Sequence, residues 1–382
     1  MTRYERAKER VIDRLDELVP ELFPNRVQRA GAWHVVSPGS GSRHPDQMVI
    51  WRGGGARGAW KDFIAGEKGD AIDLIAYAVY GGKGEAERRQ AVEWIEGRFG
   101  LRLMDKETLE AADRAARERR ERRERDDASR LARARDSARK MFHAAEPTIL
   151  GTLAETYLKS RGIDFAGLSN IVWASFRFQP KAQFWTAPKD KKGNKPLFPA
   201  LITKMVDAEG HGRACHLTFL EPDGSQKLDT RTRGLCDESG QALKAKLMWP
   251  GVTGLCVRLS DGETGLTPEK AAAAGRPGVL ATCEGIEDGF SIALARPHLR
   301  VWPAGSLPNL LHLPLHDCAS AFLVFKDNDW GKPQAEALFE RAHGRIRASG
   351  KPTEIVAMPA AWGKDVNDAI NFKEGNDDGT DI

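Results

Sequence analysis

Along the first hundred residues, apolar side chains recur at helical spacing in YERAKERVIDRLDELV. They cluster in the short runs AWHVVSP and QMVIWRG, then return to helical spacing in GDAIDLIAYAVYG and EAERRQAVEWIEGRFG. This pattern predicts a compact unit over residues 1–103: an N-terminal helix, short strands and two further helices, with glycine clusters at the turns. From 104 to 145 the pattern changes. ADRAARERRERRERDDASRLARARDSARK sets Arg beside Glu or Asp at helical spacing with almost no large apolar residue, which predicts a charged, solvated helical linker. Residues 146–275 open with a helix in TLAETYLKSRGI and continue as the strand-like runs FPALITKMVD, GRACHLTFLEPDG and KLMWP, an α+β unit. Over 276–382, four apolar runs (GVLATCEG, LRVWPAG, AFLVFKDND and TEIVAMPA) alternate with helical stretches in EDGFSIALA, SLPNLLHL and KPQAEALFERAHGRIRASG. That alternation is the rhythm of a four-stranded parallel sheet covered by helices, so the fold class is α/β and α+β, multidomain.

Composition narrows this picture only at its edges. With 382 residues, 41% hydrophobic, and no apolar run long enough to cross a bilayer, the chain is expected to be a soluble cytoplasmic protein with no membrane partner. Its first residues carry charges throughout and lack the apolar core of a secretion signal. Five cysteines without paired spacing argue against a disulfide framework and against a Cys-x-x-Cys zinc site. The net charge of +4 sums 58 basic and 54 acidic residues and decides little.

The chemistry gathers at the predicted strand ends. In a parallel sheet, ligands bind in the crevice outside the carboxyl ends of the strands. The first run delivers Glu284, with Asp288 a turn further on. The third ends at Asp327 and Asp329, and the fourth leads into GKDVNDAI with Asp365, Asn367 and Asp368. A lone Asp at a strand end is usually a turn or cap residue. Like charges gathered in one crevice need a neutraliser, and carboxylate oxygens suit a hard cation, Mg2+ or Mn2+. Glu-Gly, then Asp-x-Asp, then an acidic loop is the pattern expected of a two-metal phosphoryl-transfer site.

ATCEGIEDGFSIAL, FLVFKDNDWGKPQAEAL and MPAAWGKDVNDAI together resemble the Toprim domain, shared by bacterial-type (DnaG-like) DNA primases, topoisomerases and some nucleases; the spacing in EGIED is that of the primase version. The resemblance implies metal binding or acid/base chemistry at Glu284 and metal binding or positioning at Asp288, Asp327, Asp329 and Asp365. Upstream, FPALITKMVDAEGHGRACHLTFLEPDG and KAKLMWPG are similar to the first half of a primase catalytic core, which implies DNA or nucleotide contacts at Arg213 and Lys246, with Lys244 beside them. GAWKDFIAGEKGDAIDLIAYA is similar to the closing segment of a primase zinc ribbon, but Asp62 and Ala65 occupy the cysteine positions and no cysteine precedes Cys215. A ribbon-like DNA-binding domain without zinc is therefore expected, packed by Trp33, Trp51, Trp60 and Phe63, with Arg43, His44, Arg52 and Arg57 as candidate phosphate contacts. The implied activity is synthesis of short RNA primers on a single-stranded DNA template from nucleoside triphosphates, in a reduced primase of phage or mobile-element type partnered by a replicative helicase. The rival readings are a Toprim nuclease and a non-catalytic replisome module.

Overall fold

The computed structural model describes residues 1–29, 31–41, 44–237 and 240–372. Two compact units make up the chain, one over residues 1–132 and one from residue 133 onward.

The first unit begins with α1 (Arg3–Asp13), opened by a capping box between Thr2 and Glu5, and α2 (Leu15–Leu22). An antiparallel sheet follows in the order β1 (Val27–Arg29), β2 (Ala32–Val35), β3 (Met48–Trp51), β4 (Trp60–Asp62) and β5 (Lys68–Gly69). Next come α3 (Ala71–Tyr80), capped reciprocally by Asp70 and Asp73, and α4 (Glu85–Arg98). Val11, Leu15, Trp33, Ile50, Trp60, Ile72 and Ile95 form its core. The segment expected to be a solvated spacer is one helix, α5 (Lys106–Ala144), and both of its ends are used in packing. In the first unit Asp113 binds Arg6 at 2.7 Å, and Arg123 binds Asp13 at 2.9 Å. In the second unit Ala138 and Phe142 are buried against the sheet described next. The boundary between the units therefore falls inside α5, not at its ends.

In the second unit, α6 (Leu153–Ser160) precedes an antiparallel sheet ordered β6 (Phe176–Gln183), β7 (Leu197–Val206), β8 (Gly212–Phe219) and β9 (Lys246–Trp249). Beyond it run β10 (Ser260–Asp261), α7 (Pro268–Ala273), β11 (Gly278–Thr282), α8 (Ile286–Ala295), β12 (Arg300–Val301) and α9 (Leu307–Leu310). β13 (Ala319–Lys326), α10 (Pro333–Arg347), β14 (Thr353–Ala357) and α11 (Val366–Asn371) complete the fold. The second sheet is ordered β10-β12-β11-β13-β14; β12, β11, β13 and β14 are parallel and β10 is antiparallel. The four expected parallel strands are all present, and a fifth, antiparallel edge strand is added from the region assigned to the preceding unit. It is fixed by the buried Arg300 guanidinium, 2.8 Å from Asp261. The two sheets share one core, in which Phe176 of β6 meets Phe290 of α8 with ring centroids 4.9 Å apart. Burial of these rings joins the antiparallel sheet to the parallel one and so fixes the crevice between them.

Candidate active site

β11 and β13 lie side by side in the middle of the parallel sheet, so their carboxyl ends open into one crevice. Glu284 stands just past β11, outside α8. Its Oε2 accepts the Leu307 backbone N–H at 3.0 Å, which ties it to the start of α9. Gly285 then caps α8, and a Cβ there would come within 2.2 Å of the Asp288 carboxylate, so glycine is what lets Asp288 turn back toward the strand end. Asp288 is buried and accepts the Asn367 backbone N–H at 3.1 Å. Asp327 and Asp329 follow β13. Asn328 between them donates its side-chain amide to the Gly363 carbonyl at 2.8 Å and its backbone N–H to the Lys364 carbonyl at 2.7 Å. The loop after β14 is thereby stapled to the loop after β13, and Asp365 is placed as the cap of α11, accepting from Asp368 N at 2.9 Å.

These carboxylates feel one another. Burial, with the charges of Asp365, Asp327 and Glu287, pushes Asp288 well above the carboxylate range. Burial and the charge of Glu284 push Asp327 up to about 7. Burial and Asp329 raise Glu284 as well. Opposing charge is sparse: Lys364 lies 3.8 Å from Asp327 and Lys332 lies 2.8 Å from Asp329. Asp327 Oδ1 is buried without a hydrogen-bond partner. A buried, unsatisfied carboxylate oxygen among mutually repelling acids fits a hard divalent cation. The oxygens as they stand are spread along the crevice. Among the described residues, the one set of three acidic or imidazole ligand atoms within 4.8 Å of one another is Asp207, Glu209 and His211, in the β7–β8 turn, where Asp207 already binds Arg213.

The family model of the Toprim domain matches residues 279–377. Residues 132–259 match a domain of unknown function (DUF7146). No curated protein matches the chain. Among solved structures it is similar to a DNA primase domain from Pseudomonas aeruginosa, at 12% identity and a TM-score of 0.38 over 62% of this chain and 74% of that one. It is also similar to the DnaG primase catalytic domain bound to single-stranded DNA (13%, TM-score 0.36, 63% and 74%) and to the E. coli primase catalytic core (12%, TM-score 0.34, 61% and 74%).

All five predicted carboxylates fall inside the Toprim match. The predicted cations divide. Lys246, on β9, faces the Toprim segment and binds Glu287 of α8 at 2.8 Å. Lys244 is exposed, two residues before it. Arg213 sits at the β-bulge that opens β8 and is bound to Asp207 of the β7–β8 turn at 2.7 Å. In the first unit Arg52 and Arg57 both bind Asp16, at 2.9 and 2.8 Å, and Arg52 also covers the Trp33 ring. His44 precedes a short turn of 3-10 helix, and Arg43 lies outside the described residues. Trp33 and Trp60 are buried and Trp51 is half-buried, whereas Phe63 is exposed.

Glu287 was not singled out in the sequence, yet it is as deeply buried as Asp288 in the EGIED turn. It accepts from Tyr157 Oη at 2.6 Å as well as from Lys246, and these partners overcome the effect of burial to hold its carboxyl well below the ordinary value. Lys227 escaped notice too. Partial burial and repulsion from Lys246, Arg161 and Lys364 lower its pKa. The signal for both was available: a second acid inside EGIED, and basic residues in turns flanking the predicted strands.

Proposed function

We propose that the chain is a primase that makes short RNA primers on single-stranded DNA. The observation that carries this reading is the crevice in which burial and neighbouring carboxylates raise the proton affinity of Glu284, Asp288 and Asp327, with Lys364 3.8 Å from Asp327 and Lys332 2.8 Å from Asp329. An acidic centre with a cationic rim suits a triphosphate and its metal ions. Mg2+ or Mn2+ held by Glu284, Asp327 and Asp329, with Asp288 and Asp365 behind them, would supply charge neutralisation to the triphosphate and acidify the attacking 3′-hydroxyl. The chain's own residues do the positioning. Leu307 N–H orients Glu284, Asn328 locks the two acidic loops together, and Lys246 and Tyr157 fix Glu287, which anchors α8 beneath the crevice. Lys227, Arg161 and Lys364 would offer point charges to phosphate oxygens, and Lys244 and Lys246 are the proposed template contacts.

Purified protein, single-stranded DNA, ribonucleotides and magnesium are expected to give labelled oligonucleotides. Asp327→Ala is expected to abolish them with its circular dichroism unchanged. Primer synthesis retained in Asp327→Ala would sink the assignment, and shortening of the DNA in place of synthesis would favour a Toprim nuclease.

A further inference from the structure

On the face of the antiparallel sheet that carries Cys215, a cavity of about 290 Å³ opens beneath the last turns of α5, lined by Arg139, Phe142, His143, Arg177, Lys204 and Cys215. Lys204 and Cys215 pair across β7 and β8, whereas their neighbours Thr203 and His216 point the other way, toward Lys246. The cavity is therefore separated from the carboxylate crevice by the thickness of the sheet.

Its electrostatics are one-sided. Arg139, Arg177 and Lys204 converge on it, and no carboxylate lines it. Arg177 stacks over the Phe142 ring at 4.7 Å and donates to the Pro147 and Phe176 carbonyls at 3.0 and 2.8 Å. Arg139 reaches Asp136 on its own helix at 2.6 Å. Lys204 has no such partner. Its ammonium lies 5.8 Å from the centre of the Phe142 ring, with no acidic or carbonyl acceptor among the described residues. Partial burial, then the charges of Arg177 and Arg258, lower its pKa. A ring face offsets only about 0.5–2 kcal/mol of such crowding. An anion would satisfy all three cations at once, and Arg and Lys are the side chains that recognise phosphate oxygens. The volume is near the lower end of small-ligand sites, about 300 Å³, which suits a phosphate group with its attached sugar.

We infer that this cavity is a second phosphate-ester site, taking a phosphate of a nucleotide or of a nucleic-acid strand between Lys204, Arg177 and Arg139. It does not depend on the chemistry of the Toprim crevice.

The test reads Lys204 directly. Amine acylation of the full-length protein, mapped by mass spectrometry in EDTA, is run with inorganic pyrophosphate, with ATP and with an oligo(dT) strand as probes. At least one probe is expected to slow acylation of Lys204 at least threefold. The affinity for that probe is expected to fall about tenfold in Lys204→Met, which keeps the aliphatic stem over Phe142, and severalfold in Arg139→Gln, whose exposed position leaves folding untouched. Protection by ATP alone assigns the site to a nucleotide, and protection by the strand alone assigns it to a nucleic-acid backbone. Equal acylation of Lys204 with and without every probe, or titrations of both variants that superimpose on wild type, would overturn the inference.

Discussion

Asp62 stands at a position where the zinc-ribbon resemblance expects a cysteine, and the structure gives it a different way to close the turn. Its carboxylate is fully buried and accepts from Ser37 Oγ, from Tyr77 Oη at 3.0 Å, and from the backbone N–H groups of Ile64 and Ala65 at 2.8 and 3.0 Å. Burial pushes this carboxyl up, but Ser37, Ala65, Ile64 and Tyr77 outweigh it and hold it below the ordinary value, so it is ionised at neutral pH. In Asp62→Ala, water can replace the carboxylate at the two amides, because Ile64 and Ala65 lie in an exposed turn. It cannot readily reach the buried Ser37 and Tyr77 hydroxyls. Stranding two buried donors costs about 1–3 kcal/mol each, so a loss of about 3–4 kcal/mol is expected. Trp60 stacks on Tyr77 with ring centroids 4.7 Å apart, but it is one of ten tryptophans, so unfolding of this unit is followed by hydrogen exchange mapped to residues 1–132. In urea, with a slope of about 1–3 kcal/mol per molar, the midpoint of that transition should fall by about 1–4 M. Tyr77→Phe and Ser37→Ala should each lose a part of this, and neither should add its full effect on the Asp62→Ala background. An Asp62→Ala midpoint within about 0.3 M of wild type would refute the carboxylate's role as the clamp of this turn.

Three further outcomes follow from the same geometry. Lys246→Ala leaves the Glu287 charge buried with the Tyr157 hydroxyl but no cation and should destabilise the second unit by about 3–5 kcal/mol, whereas Lys246→Met combined with Glu287→Gln should recover much of the loss; thermal unfolding of the three proteins decides this. Glu96, bound by Arg3 at 2.6 Å and Arg102 at 2.7 Å, has its carboxyl lowered from 4.5 to about 2, chiefly by the Arg3 hydrogen bond. Its folded pKa lies below its unfolded one, so its stabilisation is complete above pH 4.5 and fades as pH falls toward 2; the gap between wild type and Glu96→Gln in urea midpoints should be constant from pH 5 to 8 and close below that window. Asp327→Asn removes one of the repelling charges in the crevice, so without divalent metal its unfolding temperature should exceed that of wild type. Adding magnesium should raise the wild-type temperature and leave the variant's nearly unmoved, and a variant less stable than wild type in EDTA would contradict the repulsion described here.

The parallel sheet was legible because its strands are buried on both faces and so appear as unbroken apolar runs, GVLAT and AFLVF above all. β6 was not. FRFQPKAQ mixes polar residues with Pro180, and the strand bulges between Gln179 and Ala182, which breaks the period-two signal. β10 is two residues long, and what identifies it is the long-range ion pair from Arg300. The site divides in the same way. Glu284, Asp327 and Asp329 could be found because a strand end fixes where they stand. Arg213 and Lys246 look alike in sequence, but Arg213 sits at a β-bulge and binds Asp207 of the β7–β8 turn, whereas Lys246 binds Glu287 of α8. Arg52 and Arg57 look like free loop cations until Asp16, some forty residues away, folds against them. The charged stretch 104–145 lacks a hydrophobic stripe, and its docking in the first unit is carried by ion pairs to α1 that local periodicity does not reveal.

The most direct measurement is templated nucleotide incorporation. On oligo(dT) with magnesium, labelled ATP should be polymerised into short oligonucleotides, while labelled GTP, CTP and UTP should not. On oligo(dC), GTP should replace ATP as the substrate. Incorporation that ignores the template, or none with any template and nucleotide while the protein remains folded, would contradict the account.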